Sequence, residues 1–171
     1  MTISYEFIDT SYGLIRLARR LAPQSVIAVD LEADSMHHFH EKVCLLQLAA
    51  EGVNAVVDPL AIGHLAPLAS LLADPGIRKV FHGADYDVRC LYRDFQIEIE
   101  NLFDTQLACR FLGFKATGLE AAGETLAQIT CHGRVFVRVS PAFVEILVSF
   151  VDLEICLGDT AEEVVQESPP R

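Results

Sequence analysis

The stretch that decides the fold runs from Ser25 to Asp58: SVIAVDLE at 25–32, VCLLQLA at 43–49 and NAVVD at 54–58. Each run is short, apolar and rich in branched side chains, the pattern of a buried strand. A polar loop separates the first two, and Glu51-Gly52 separates the second from the third. Connections this short join antiparallel neighbours. Downstream the rhythm changes. Leu65–Leu72 reads as a helix, Lys79–His82 as a strand and Tyr86–Phe95 as a helix. A short apolar piece then leads to Asp104, and Thr105–Leu112 is helical again. Strands that alternate with helices pair in parallel through crossovers. Upstream, Leu14, Leu17, Ala18 and Leu21 fall on one stripe of a helix over Thr10–Leu21, capped by Thr10 or Ser11. The expected class is α/β: a mixed sheet of three antiparallel strands plus parallel βα units, flanked by helices.

The chain has 171 residues, expected as one domain over 1–166 with a frayed tail at 167–171. It is 51% hydrophobic with a mean hydropathy of +0.32, which excludes disorder. The longest apolar run, Val139–Val151, is too short for a bilayer and contains Glu145, so no membrane association is expected. No secretory signal is visible at the start, and a cytoplasmic location follows as the expectation. The net charge of −11 argues against a protein that coats nucleic acid through a basic face. Past Lys115 there is no lysine at all. Five cysteines, an odd number with no Cys-x-x-Cys pair, read as buried reduced thiols rather than a zinc site.

Three places could carry chemistry. Asp30 and Glu32 close the first strand two residues apart, so both carboxylates face one side. No lysine or arginine lies between Arg20 and Lys42 to neutralise them. Paired carboxylates are hard-oxygen ligands for a divalent metal, although a strand end meeting a solvated loop has the same pattern. The segment FHGADYDVRCL at 81–91 follows a strand and opens a helix. Asp85 fits its N-cap; Asp87 fits either a helix-terminus charge or a ligand. Asp104 precedes the last helix and also fits a cap, with Thr105 able to share it. The histidines at 37, 38 and 40 read as a solvated loop.

Together IAVDLEAD, VCLLQLA, KVFHGADYDVRCLYRDF and NLFDTQLACRFLG resemble the DEDD superfamily of 3′–5′ exonucleases, specifically its ribonuclease D branch. The resemblance implies a ribonuclease-H-like fold. It implies catalytic metal ligands at Asp30, Glu32 and Asp87, with Phe103-Asp104-Thr105 as a supporting element. It implies two Mg²⁺ or Mn²⁺ ions flanking the terminal phosphodiester, bridged by Asp30, with Glu32 on one and Asp87 on the other. The substrate implied is a single-stranded nucleic-acid 3′ end, RNA favoured over DNA; protein partners are left open.

The family's third motif is Tyr-x-x-x-Asp on a late helix, and no such pattern follows Asp104. One register of the apolar segment 141–157 puts Ile146 in the tyrosine's place and Phe150 in the aspartate's. Another makes Asp152 the catalytic aspartate and puts Val148 in the tyrosine's place. Positions two apart on a helix point about 200° apart, so both registers cannot serve one site. The expected function is thus a metal-dependent 3′–5′ exonuclease. The alternative is a catalytically impaired exonuclease-like domain that binds nucleic acid or a protein.

Overall fold

The computed structural model describes residues 5–34, 41–119 and 122. Six strands form one sheet in the order β1-β4-β3-β2-β5-β6. The central antiparallel unit is β2 (Val26–Ala33), β3 (Val43–Ala50) and β4 (Val53–Val57). Its register sets Asp30 opposite Gln47 and Leu48 opposite Ala55. On the other flank of β2, β5 (Arg78–Phe81) and then β6 (Leu102–Asp104) add in parallel. The mixed sheet expected from the sequence is therefore present. The tail expected at 167–171 lies outside the described residues.

Two elements escape the sequence reading. A three-residue strand, β1 (Glu6–Ile8), pairs in parallel with β4, and a single helical turn, α2 (Pro59–Ile62), follows β4. Both are too short to show a period. The piece before Asp104, read only as apolar, is the edge strand β6.

The helices are α1 (Ser11–Leu21), α3 (Ala66–Leu72), α4 (Asp85–Phe95) and α5 (Thr105–Phe111). Thr10, not Ser11, caps α1: its side chain accepts from the Gly13 N–H at 3.2 Å. Alternate residues of β2 go to opposite faces. Ile27, Val29 and Leu31 enter the main core with Leu14, Leu17 and Leu21 of α1, Leu68 and Leu72 of α3, and Leu91 of α4. Ala28 packs on the other face with Ala49, Val80 and Phe103. Asp30 and Glu32 continue that second row. Lys79 is wholly buried, and its ammonium donates to the carbonyls of Asp74 and Ile77, each at 2.6 Å. It fixes the turn that carries the chain from α3 into β5.

Cys44, Cys90 and Cys109 are free thiols; Cys131 and Cys156 lie outside the described residues. Among the described residues, no helix is long and apolar enough to cross a membrane.

The packing of α4 gives a direct test of the core. Leu91 is fully buried, whereas Tyr92 beside it is half exposed. Leu91→Ala is expected to lower the unfolding free energy by about 2–5 kcal/mol in urea titration. Tyr92→Ala is expected to change it by less than about 0.5 kcal/mol.

Candidate active site

Because β2, β5 and β6 are parallel, their C-terminal ends share one edge of the sheet. Ligand sites of such sheets form at that edge. Acidic groups reach it from three places: Asp30 and Glu32 from β2, Asp87 from the first turn of α4, and Asp104 from the last residue of β6.

Asp30 is half-buried, and Gln47 on the neighbouring strand donates to its Oδ2 at 3.2 Å. Burial, then the charge of Glu32, raises its pKa to about 6; a bond from the Leu31 N–H opposes them. Glu32 is exposed, and the pairing register shifts just after it, between Glu32 and Ala33. A bulge there frees the strand end from the regular pleat. Asp87 is only 8% exposed. Burial raises its pKa to about 7, reinforced by the charges of Asp30, Glu32 and Asp104. The carboxylates are therefore near enough to repel through a medium that water screens poorly.

Asp104 stands on the same edge with the opposite shift. Burial pushes its carboxyl up, but N–H bonds from Gly83, Ala84, Leu107 and Gln106 outweigh that and hold it below the usual carboxylate range. Thr105 does not share this cap. Its hydroxyl donates to the Phe81 carbonyl at 2.9 Å and meets Nδ1 of His82 at 2.9 Å. Burial lowers the pKa of His82 and favours its neutral form.

The expectation that Asp85 caps α4 is corrected. The N-cap is Ala84, with no side-chain bond of its own. Asp85 is exposed and pairs with Arg89 at 2.7 Å, one turn along the helix. Asp85 and Asp87, about 200° apart, face solvent and interior respectively. A network with no signature in the sequence ties α4 to the start of β3. Arg93 bonds Glu41 and Asp94, Tyr86 donates to Glu41 at 2.7 Å, and Asp94 accepts from the Val43 N–H at 2.9 Å. The histidines at 37, 38 and 40, and Ile146, Val148, Phe150 and Asp152, lie outside the described residues.

Mutually repelling oxygen donors, two of them wholly or partly buried, fit a divalent cation, which would remove the repulsion. The fit is one of chemistry rather than of a finished cage. Among the described residues, no group of three or more His, Cys, Asp or Glu side chains is arranged to hold an ion.

The raised carboxyls make a pH prediction for the metal-free chain. A carboxyl whose folded pKa lies above its unfolded value adds stability that is complete at low pH and lost as pH rises through the folded pKa. For Asp87 the window runs from the ordinary value of 3.8 to about 7. Asp87→Asn is thus expected to match the unmodified chain near about pH 4 and to exceed it progressively toward about pH 8. A tenfold change in proton affinity corresponds to about 1.4 kcal/mol, so the gap at the alkaline end should be at least that large in EDTA-treated thermal or urea melts.

Comparison with known proteins places this edge in context. The sequence model of the 3′–5′ exonuclease family matches residues 5–132. Protein RRP6-like 3 of Arabidopsis thaliana is 38% identical over 133 residues, covering 77% of this chain and 15% of that protein. Ribonuclease D of Acidiphilium cryptum is 34% identical over 129 residues, 75% of this chain and 32% of that protein. The catalytic core of RRP6 from Trypanosoma brucei has a TM-score of 0.74 at 30% identity, over 98% of this chain and 51% of that one. The chain thus spans a third or less of these two curated relatives. With its mixed sheet and acidic edge, it belongs to the 3′–5′ exonuclease family.

Proposed function

We propose that this chain carries a metal-dependent 3′–5′ exoribonuclease activity that removes nucleotides from RNA 3′ ends. The observation that supports it most is the pair Asp30 and Asp87, held half-buried or deeper at one sheet edge with raised pKa values. Folding has brought together charges that repel, which costs stability and calls for a cationic partner. RNA is favoured over DNA because relatives over 30% identical include one named ribonuclease D.

In this reading Asp30, Glu32 and Asp87 hold two divalent ions, Mg²⁺ or Mn²⁺, and Asp152 is the fourth carboxylate. When bound, the ions supply positive charge that activates water and stabilises the leaving 3′ oxygen. Gln47 orients Asp30 through the bond at Oδ2. The exposed Glu32 is open to an incoming strand end. Bound cations would also let a chain of net charge −11 accept a polyanion.

One sequence fact favours the second reading, an impaired exonuclease-like domain that binds nucleic acid or protein: no Tyr-x-x-x-Asp follows Asp104. Losing an orienting or proton-handling group costs about 10²–10⁴-fold in rate. Activity is therefore expected, but at roughly that deficit against a family member with the motif intact.

The experiment uses RNA oligonucleotides labelled at either end, with Mn²⁺. Loss of a 3′ label as mononucleotide, with a shrinking ladder from the 5′-labelled strand, is the expected result. Asp30→Asn should abolish it while the melting temperature holds or rises. Unfolding of Asp30→Asn, or degradation from the 5′ end, would contradict the assignment. Val148→Tyr beside Asp152, compared with Ile146→Tyr plus Phe150→Asp, tells the two registers apart by which raises turnover.

A further inference from the structure

We propose that Asp104 is a positioning residue: through the loop at 81–84 it sets where the first turn of α4, and with it Asp87, meets β2. The inference rests on the reading of Asp87 as a metal ligand given above. Helix α4 has no side-chain cap of its own. Asp104, on the neighbouring strand, instead grips the two residues that lead into it. Its Oδ1 accepts from the Gly83 N–H and its Oδ2 from the Ala84 N–H, each at 2.9 Å. Gly83 has φ of +80°, a left-handed conformation that lets two successive N–H groups converge on one anion. Thr105 fixes the other half of the loop through the Phe81 carbonyl and the His82 ring. Four consecutive residues, Phe81 to Ala84, are thus gripped from Asp104-Thr105. Capping the seven-residue α5 needs none of this: Asp104 Oδ1 already accepts from Gln106 and Leu107 at 2.9 and 3.2 Å.

Oδ1 serves the α5 cap and Gly83 together, whereas Oδ2 serves Ala84 alone, which makes the proposal testable. Asp104→Asn with its carbonyl at Oδ1 keeps the α5 cap, since asparagine is among the best N-caps. Its amide would then face the Ala84 N–H donor to donor, breaking that bond while the one from Gly83 stays. Asp104→Ala removes both.

The test uses the full chain, with Mn²⁺ affinity read by electron paramagnetic resonance, the amide resonances of residues 85–87 by NMR, and stability by thermal melt. Asp104→Asn should stay folded, shift those resonances and weaken Mn²⁺ binding about 10–100-fold, the range for groups that orient metal ligands. Asp104→Ala should add a clear loss of thermal stability. If Asp104→Asn does not fold, Gly83→Ala decides: it strains the φ of +80° that aims the two N–H groups at Asp104, a several-fold loss of Mn²⁺ affinity is expected, and unchanged affinity would overturn the proposal. Unchanged Mn²⁺ affinity and unshifted resonances in Asp104→Asn would overturn the proposal. An unmodified chain that binds no Mn²⁺ would instead sink the exonuclease reading, and the resonances of residues 85–87 would then settle the positioning role alone.

Discussion

Parallel pairing of β2 with β5, and of β5 with β6, is the constraint on which the rest depends. It forces three strand ends to one edge, whatever residues they carry. The buried Lys79, clamping the turn before β5, holds the middle strand of that set in register. The main core of leucines on the opposite face supplies the stability against which the acidic edge is set. Each buried leucine contributes roughly 1.5–3 kcal/mol, so a few suffice to offset one carboxylate held with a raised pKa.

Environment, not residue type, divides the aspartates of the edge. Asp104 and Asp87 are both drawn out of water, yet their shifts oppose each other. Four backbone N–H groups meet the first, while three negative charges act on the second. A carboxylate that is satisfied by the chain itself has little left to offer a ligand. One that is surrounded by like charge has most to gain from a cation. The same comparison separates Asp85 from Asp87 on a single helical turn, since the outer one spends its charge on Arg89 in solvent.

Much of this is legible in the sequence, and the misses have a common cause. Runs of eight and five residues rich in branched side chains announce β2 to β4, because buried strands repeat every two residues over a length that shows. The three-residue β1 pairs with a strand nearly fifty positions later, and nothing local marks it. Asp85 fits a cap by local spacing, yet the entry to α4 is held by Asp104, which comes from another strand. An anchor supplied across the fold leaves no local spacing to find. Asp87 stands out from Asp85 only through the resemblance of the whole segment to a family; the segment by itself leaves its role open. Gln47 becomes visible once the hairpin register sets it opposite Asp30.

An acidic edge that takes divalent cations, as proposed, must bind them in exchange for protons. Calorimetric titration of the full chain with Mn²⁺ near about pH 6.5, repeated in buffers of different ionisation enthalpy, tests it most directly. A ligand must lose its proton to bind a metal. Asp87, with a pKa of about 7, would then be largely protonated beforehand. Saturable binding with net proton release is expected, with a smaller release in Asp87→Asn, where Asp30 remains to give up its proton. Absence of saturable binding, or binding with no proton release, would contradict the proposal.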